Sequence, residues 1–266
     1  MQILTGEYYI DEFVKLKAGG LYVLCARPSV GKTALALQLA WTLIGAGERA
    51  AIFIGEMTAL DVRQRFFQHW GVPECMYNDP TAYKWHDVAE GWRGMQDRLY
   101  IRHGAVSAQD IVRDVEVLAA QKDPVRIVVV DYIQYLKAAR GEDMLTKVTN
   151  AAQALKAVAI DTGCAVIALS QMNRKFLETG KFSLGCIAGG DTIGNEADQV
   201  WFLDRPHITG TQELNKGWQI GCNNVDATPE NFGWICEKNR RGPRFGLTGP
   251  FIGEQLKFEI TKGGLR

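Results

Sequence analysis

An apolar run near the N-terminus leads directly into a phosphate-loop pattern, and this junction constrains the fold more than any other feature of the 266-residue sequence. Leu21–Ala26 predicts a buried strand, and the apolar spacing of Lys32–Ile44 predicts a helix. Between them the chain reads Ala26-Arg-Pro-Ser-Val-Gly31-Lys32-Thr33. A loop that ends at a helix N-terminus can hold phosphate oxygens through its backbone amides, aided by the helix dipole. We therefore expect a nucleotide-binding α/β fold.

The side chains at the end of this loop have the chemistry that a nucleotide and Mg²⁺ require. Lys32 can reach the β- and γ-phosphates, and the Thr33 hydroxyl can ligate Mg²⁺. Residue 26 is alanine where the generic loop has its first glycine, and a chance Gly-Lys-Thr in an ordinary loop is the alternative interpretation. Strand, loop and helix nevertheless follow in the required order. The residues expected to contact the nucleotide are Arg27, Pro28, Ser29, Val30, Gly31, Lys32, Thr33 and Ala34.

The rest of the chain continues the alternation of strands and helices. Further strands are predicted at Ala50–Ile54, Leu99–His103, Ile127–Val130, Ala165–Ser170 and Val200–Asp204, and further helices at 59–70, 108–121 and 144–162. A βαβ series of this kind indicates a mostly parallel sheet flanked by helices. Four later runs without intervening helices predict an antiparallel C-terminal extension, at Trp218–Cys222, Phe232–Glu237, Phe245–Thr248 and Leu256–Ile260. Residues 71–98 are too aperiodic to assign, and we interpret residues 1–266 as one domain.

Composition excludes several classes of protein. Apolar residues make up 47% and charged residues 23%, which is ordinary for a globular chain and excludes a disordered chain, a coiled coil and a fibre. The longest apolar runs have six residues, whereas a membrane span needs about twenty. The N-terminus has no signal-peptide pattern, and the six cysteines form no CxxC pair, so we expect a reduced, soluble cytoplasmic protein without structural zinc. The net charge is zero, but the segment from Trp234 to the end contains seven basic residues and three acidic ones. This local excess of positive charge indicates a contact with an anion.

Two acidic residues follow predicted strands of the parallel sheet. Asp131 ends a strand of β-branched residues, and ligands bind at this carboxyl edge in open α/β folds. Asp131 there would hold Mg²⁺ through a water or order Thr33, although strand-end aspartates also cap ordinary turns. Glu56 follows the strand Ala50–Ile54 and could orient and deprotonate an attacking water. Its position alone fits a solvated acid equally well.

An amide and a basic run complete the set of candidate residues. Gln171 follows the strand Ala165–Ser170, where it could sense a γ-phosphate or lie exposed in a loop. The segment Lys238-Asn-Arg240-Arg241-Gly-Pro-Arg244 places four cations in seven residues at a predicted hairpin tip. An inserted guanidinium can stabilise a phosphoryl-transfer transition state. Without further context, a solvated basic turn is the simpler interpretation.

Taken together, these motifs resemble the motor domain of DnaB-type replicative helicases. The matching series is Ala26-Arg-Pro-Ser-Val-Gly-Lys-Thr33, Gly55-Glu56-Met57, Val130-Asp131-Tyr132-Ile133-Gln134, Leu169-Ser-Gln171-Met-Asn-Arg174 and Lys238-Asn-Arg240-Arg-Gly-Pro243. Their order and approximate spacing match that family from Leu4 to Arg244. The family pattern itself begins with alanine, so the residue at position 26 agrees with it.

The resemblance implies a RecA-like P-loop fold, usually assembled as a six-subunit ring that hydrolyses ATP while it translocates on single-stranded DNA in replication. It implies that Lys32 and Thr33 hold phosphate and Mg²⁺, and that Asp131 is the acid on the metal side. Glu56 would be the catalytic carboxylate and Gln171 the γ-phosphate sensor. Lys238 and Arg240 would complete a neighbouring subunit's site, with Arg240 as an arginine finger.

The sequence departs from the family pattern in two places. Family members commonly carry an N-terminal collar domain that binds primase and loads the ring, but here the motor begins within the first twenty residues, so we expect no such domain. The partners expected from the resemblance include a separate loader or primase. The family's DNA-contacting loop often contains an arginine, whereas this one reads Ile187-Ala-Gly-Gly-Asp191. Backbone amides and nearby cations can still bind a DNA backbone. The expected DNA contacts are Gly189, Gly190, Arg174, Lys175 and Lys181.

Three functions remain open from the sequence. The first is an ATP-driven DNA helicase or translocase, and the second is a RecA-superfamily recombination or regulatory ATPase that does not unwind DNA. The third is a helicase-derived loader or scaffold in which nucleotide only controls assembly. Stimulation of hydrolysis by single-stranded DNA separates the first two from the third, and unwinding of a forked substrate separates the first from the second.

Overall fold

The computed structural model describes residues 1–73, 83–138, 141–173, 182–189, 191–209, 218–220, 223–225, 228 and 230–266. The strands are β1 (Leu21–Ala26), β2 (Arg49–Ile54), β3 (Leu99–His103), β4 (Val125–Asp131), β5 (Ala165–Gln171), β6 (Gln199–Asp204), β7 (Trp218–Ile220), β8 (Asn223–Val225), β9 (Asn231–Asn239), β10 (Phe245–Ile252), β11 (Lys257–Phe258) and β12 (Lys262–Leu265). The α-helices are α1 (Lys32–Gly45), α2 (Ala59–His69), α3 (Tyr83–Gln96), α4 (Ala108–Ala119), α5 (Met144–Thr162), α6 (Asp191–Glu196) and α7 (Pro206–Thr209). Short 3₁₀ or π turns lie at Ile10–Val14, Ile133–Tyr135, Leu184–Cys186 and Gly253–Gln255.

Ten of the strands within these ranges form one mixed sheet, in the order β11-β10-β9-β6-β1-β5-β4-β2-β3, with β12 beside β10. Strands β1 to β6 pair in parallel, and β9 to β12 add an antiparallel extension next to β6. The predicted architecture is therefore confirmed. One predicted run is placed differently, because β7 pairs with β8 in a separate two-stranded sheet rather than in the extension.

Strand β1 is buried on both faces, which is why its sequence is continuously apolar. Its alternate residues face two separate clusters: Tyr22, Leu24 and Ala26 pack on the side of α1 and α2, and Leu21, Val23 and Cys25 on the side of α4 and α5. Side chains along a strand point to opposite faces in turn, so one strand contributes to both cores. Helices on both faces thus enclose the centre of the sheet.

Local signals start and stop the helices. A capping box begins α2, where Thr58 and Asp61 bond reciprocally, and another begins α4, where Ser107 and Asp110 do the same. The helix α5 has the bounds predicted from its periodicity and ends at Gly163, which has the left-handed conformation. None of the helices among the described residues is long and apolar enough to cross a membrane.

Several elements were not predicted from the sequence, among them the helix α3 and the strand β12. The helix α3 lies in the stretch that the periodicity left unassigned, and Trp92 anchors it by packing 5.1 Å from Phe66 between ring centroids. The strand β12 contains Gly263 and Gly264 and exists through its antiparallel pairing with β10. Both depend on contacts that are distant in sequence, which local patterns do not report.

The direction of the strands defines two edges of the sheet. The parallel strands end at one edge, here called the carboxyl edge, where Ala26 pairs with Gln171 and Ile54 pairs with Asp131. Because β9 runs antiparallel to β6, the turn after Asn239 lies at the opposite, amino edge, beside Gln199. The predicted site residues Asp131 and Gln171 therefore lie at one edge, with Glu56 two residues beyond Ile54, and the basic hairpin lies at the other edge.

Candidate functional site

The loop between β1 and α1 has the backbone geometry of an anion cradle. Ser29 and Gly31 have φ angles of 64° and 107°, in the left-handed region. A side chain at Gly31 would also come within 2.8 Å of the Phe258 ring, so both conformation and space require glycine there. The first amides of α1 lack intrahelical partners and are available to a ligand.

A cleft of about 360 Å³ opens above this loop at the carboxyl edge. Of the residues predicted to hold nucleotide or act on it, the cleft is lined by Arg27, Pro28, Ser29, Gly31, Lys32, Thr33, Ala34, Glu56, Asp131 and Gln171. Val30 was also predicted to contact the nucleotide, but it does not line the cleft, because its side chain is fully buried in the core. The topology thus brings together residues from four strand ends that are far apart in sequence.

The Thr33 hydroxyl donates a 2.6 Å hydrogen bond to Oδ2 of Asp131. Burial raises the pKa of Asp131, opposed by this hydrogen bond and by the charge of Lys32. Burial likewise lowers the pKa of Lys32, opposed by the charge of Asp131. A hydroxyl and a carboxylate oxygen side by side are hard donors of the kind that Mg²⁺ takes, so these residues fit that ion.

Tyr132 connects Lys32 to Glu56, a role that the sequence analysis did not assign. Its hydroxyl donates a 3.1 Å hydrogen bond to Oε1 of Glu56, and its ring lies 4.8 Å below Nζ of Lys32. Burial and the charge of Glu56 raise the pKa of the tyrosine hydroxyl. The signal in the sequence was the position of Tyr132 directly after Asp131, within the motif Val130-Asp131-Tyr132-Ile133-Gln134.

Gly55 sets the position of Glu56 at the end of β2. Its amide donates to the carbonyl oxygen of Asp131 at 2.9 Å, and a side chain at Gly55 would overlap the ring of Tyr135. The chain therefore passes close to β4 before it reaches Glu56. This close approach aims the carboxylate into the cleft.

The far end of the cleft is formed by residues that no sequence motif identified. Phe251 and Leu256 of the C-terminal extension line it together with Arg65 of α2 and Arg205. The guanidinium of Arg205 lies 3.9 Å from the centroid of the Phe251 ring, and burial lowers its pKa. This end of the cleft therefore combines an aromatic face with cations, and it arises only when the extension folds back over α1.

Lys238 and Arg240 are absent from the described residues that line the cleft. Lys238 Nζ donates to the carbonyl oxygens of Gly194 and Asn195 at 2.6 and 3.0 Å, and Arg240 donates to the same carbonyl of Asn195. Strands rise about 3.3 Å per residue, so the amino edge lies roughly 15–20 Å from the carboxyl edge across β1. The basic hairpin therefore cannot reach the cleft of its own chain.

The expected DNA contacts are only partly placed. Gly189 has a φ of 102°, and a side chain there would come within 2.8 Å of Val148, so its backbone lies close against α5. Arg174, Lys175, Lys181 and Gly190 lie outside the described residues.

The four cysteines that the structure describes are all buried, namely Cys25, Cys164, Cys186 and Cys236. Within the described ranges no group of three or more His, Cys, Asp or Glu side chains is placed to hold a metal ion. Cys75 and Cys222 lie outside those ranges.

Comparison with known proteins gives a family match over nearly the whole chain. The family described as DnaB-like helicase C terminal domain matches residues 3–260. A probable plasmid replicative DNA helicase of Chlamydia muridarum (strain MoPn / Nigg) is 24% identical over 266 residues, which cover 97% of this chain and 54% of the relative. The replicative DNA helicase DnaB of Geobacillus stearothermophilus is 27% identical over an alignment of 267 residues, and the alignment covers 96% of this chain and 56% of the relative. The chain thus spans about half the length of these curated relatives.

Two solved structures share the fold. One, described as an ATPase domain, superposes with a TM-score of 0.83 at 21% identity, covering 98% of this chain and 92% of that one. A DnaB-like replicative helicase, described together with its interactions with primase, superposes with a TM-score of 0.80 at 22% identity. The superposition covers 97% of this chain and 61% of that one. The predicted RecA-like architecture agrees with both.

Proposed function

This chain belongs to the family of DnaB-like helicase C-terminal domains, and on that premise we propose that residues 1–266 are one ATP-driven motor domain that moves along single-stranded DNA in replication. Membership in the family implies that the chain binds a nucleotide. One observation carries the proposal further: Lys32, Thr33, Glu56, Asp131 and Gln171 line a single cleft at the carboxyl edge. Ligands bind at this edge in open α/β sheets.

The loop and Lys32 bind the triphosphate of ATP. Amides at the start of α1 and the ammonium group of Lys32 face the phosphate oxygens, which relieves the unfavourable burial of that ammonium. Thr33 and Asp131 hold Mg²⁺, which would neutralise charge on the β- and γ-phosphates. The 2.6 Å hydrogen bond between the two side chains keeps both ligands together beforehand.

Glu56 is the general base for hydrolysis. It is exposed to the cleft, and it accepts a hydrogen bond from Tyr132 that keeps its carboxylate near the end of Lys32. It would orient a water and take its proton as the water attacks the γ-phosphate. Gln171, the last residue of β5, would contact that phosphate as its sensor.

The aromatic end of the cleft takes the base of the nucleotide. The guanidinium of Arg205 lies over the ring of the buried Phe251, and the base would stack on this guanidinium. Leu256 closes the apolar side. This assignment places the phosphates and the base at opposite ends of one cleft.

Arg240 acts in trans, as an arginine finger in the site of a neighbouring subunit, with Lys238 beside it. Since the hairpin lies at the amino edge, about a strand length from its own cleft, a second copy of the chain is needed to bring finger and phosphate together. A head-to-tail contact of this kind closes into a ring when its rotation allows, and we propose a hexamer.

The DNA backbone is bound without recognition of its base sequence. The residues that contact it are Gly189, Gly190, Arg174, Lys175 and Lys181. A separate loader or primase would place the ring on DNA, and the relation of a DnaB-like structural neighbour to primase supports such a partner. We propose that the motor acts in the cytoplasm.

The test is the ATPase rate of the chain with and without single-stranded DNA, with Lys32→Ala as the inactive control. Hydrolysis that the DNA stimulates is the expected result, together with unwinding of a forked substrate. Stimulation without unwinding would instead indicate a recombination or regulatory ATPase. Hydrolysis that ignores DNA would indicate a loader or scaffold.

A further inference from the structure

The side-chain amide of Gln134 joins the end of β5 to the loop at residues 187–189. Its Nε2 donates a 2.7 Å hydrogen bond to Oγ of Ser170 and a second hydrogen bond to the carbonyl oxygen of Ala188. Ser170 is fully buried and directly precedes Gln171. One amide group thus contacts the neighbour of the γ-phosphate sensor and the neighbour of Gly189.

Backbone hydrogen bonds run alongside this contact. The amide of Ala188 donates to the carbonyl oxygen of Gln171 at 2.8 Å, and the amide of Asn173 donates to that of Cys186 at 2.8 Å. Met172 and Ile187 form an isolated antiparallel bridge between them. These bonds hold the end of β5 against the loop, and the side chain of Gln134 adds the contact between Ser170 and Ala188.

The orientation of the Gln134 amide follows from its partners. Only the NH₂ end can donate to the carbonyl of Ala188, so Oε1 must point away from it. Among the described residues this buried Oε1 has no hydrogen-bond partner. The main chain of Gln134 is fixed separately, because Nζ of Lys147 donates to its carbonyl oxygen at 2.8 Å. Buried polar atoms are nearly always hydrogen-bonded, so the two bonds donated by Nε2 hold this amide in an orientation that leaves its acceptor unpaired.

We propose that Gln134 is a positioning residue that couples the nucleotide state of the cleft to the position of the loop 187–189. The inference rests on the proposed function, in which Gln171 senses the γ-phosphate and Gly189 contacts DNA. With ATP bound, Gln171 and its neighbour Ser170 fix the position of the Gln134 amide. Through its hydrogen bond, this amide fixes the position of Ala188 and therefore of the next residue, Gly189. Because coupling between two binding sites is reciprocal, DNA that binds the loop also favours the ATP-bound arrangement.

The experiment uses Gln134→Met in the full chain, which keeps the length of the side chain and removes both donors. The matched control is Gln153→Met on the exposed face of α5. The readout is the affinity for a fluorescent oligo-dT strand, measured once with ADP and once with a non-hydrolysable ATP analogue. Coupling between sites typically changes affinity by about 5–150-fold, and we expect the parent and the control to show a ratio in that range.

In Gln134→Met the affinity ratio should fall to less than about twofold, while ATPase without DNA stays within about twofold of the parent. Ser170→Ala should reduce the ratio as well, and the double variant should lose no more than Gln134→Met alone, because both act through one contact. If Gln134→Met does not fold, Gln134→Glu replaces it, since an ionised carboxylate of the same shape cannot donate.

A folded Gln134→Met or Gln134→Glu protein that keeps the parent's affinity ratio overturns the coupling role and leaves the proposed function intact. A parent chain that hydrolyses no ATP, or binds DNA equally with both nucleotides, overturns the proposed function and the coupling with it.

Discussion

The hydroxyl of Thr33, in the first turn of α1, donates a 2.6 Å hydrogen bond to Oδ2 of Asp131, 98 residues further along the chain at the end of β4. The bond joins the phosphate loop to the centre of the sheet. Lys32 lies beside it, with its ammonium over the ring of Tyr132. Phosphate, metal and attacking water would all meet within this small group of side chains, and the predictions below test its parts.

Lys32→Ala should abolish hydrolysis while the fold persists. The loss should be about 10²-fold or more, because the variant lacks the ammonium that stabilises charge on the phosphates. Stability should change by less than about 1 kcal/mol, since the burial that lowers the pKa of Lys32 offsets its attraction to Asp131. Steady-state ATPase and thermal melting measure the two effects, with the exposed Lys122→Ala as control. Normal turnover in a well-folded variant would contradict the role of Lys32.

Glu56→Gln should separate binding from hydrolysis. The amide keeps the shape of the carboxylate but cannot take a proton, so hydrolysis should fall by about 10²–10⁴-fold. Affinity for ATP, measured by titration calorimetry, should stay close to that of the parent. The exposed Glu90→Gln serves as control. Hydrolysis at the parent rate would show that another group is the base.

Phe251→Leu should weaken nucleotide binding and leave turnover at saturating ATP nearly unchanged. The Phe251 ring holds the guanidinium of Arg205 through a cation–π contact of about 1–2 kcal/mol, so its loss should raise the Kd for ATP about 5–30-fold. Leucine preserves the packing against Phe258, whose ring centroid lies 4.7 Å away. Tyr8→Leu, at an exposed aromatic residue, is the control. An unchanged Kd would place the base elsewhere.

Asp198→Asn should destabilise the chain near neutral pH and much less in acid. Asp198 bonds Lys156 at 2.6 Å and the amide of Leu21 at 2.9 Å, and Arg241 lies 3.4 Å away. Burial raises the pKa of this carboxyl, but the hydrogen bonds from Lys156 and Leu21 and the nearby positive charges outweigh it, so the net pKa is lowered.

A lowered pKa stabilises the fold above the unfolded value of about 3.9, and this contribution is lost as pH falls through the folded value. Removing the charge leaves the ammonium of Lys156 without its counter-ion and with only neutral partners such as the carbonyl oxygen of Gly19, which should cost up to about 3–5 kcal/mol at pH 7. Urea unfolding at pH 7 and at pH 3 measures the free energy of unfolding of Asp198→Asn and of the parent. The difference between the two free energies should be smaller at pH 3 than at pH 7. A difference that is the same at both pH values would contradict the ion pair.

The sequence was sufficient to predict several of the elements that position the cleft. The strands β1 and β3 and the helix α5 have their predicted bounds, because continuous apolar runs and a 3.6-residue period are strong local signals. Since parallel strands end at one edge, Asp131, Gln171 and Glu56 could be expected to meet there.

Contacts between distant segments could not be predicted. Arg205 and Phe251 meet only when the C-terminal extension folds over α1, and the hydrogen bond from Tyr132 to Glu56 depends on the register of β2 against β4. The helix α3 has no clear period because aromatic contacts such as Trp92 with Phe66 hold it in place. Tertiary packing overrides local propensity in each case.

The ATPase rate of mixed subunits tests the central claim, a motor whose site is completed by Arg240 of a neighbour. Arg240→Ala should cost about 10³–10⁵-fold in rate, close to the loss from Lys32→Ala, so each protein alone is inactive. When the two exchange subunits at equal amounts, about a quarter of the interfaces pair an intact Lys32 with an intact Arg240. ATPase activity in the presence of single-stranded DNA should then return to a comparable fraction of the parent rate. If no mixture recovers activity although subunit exchange is demonstrated, Arg240 does not act in trans and the account is wrong.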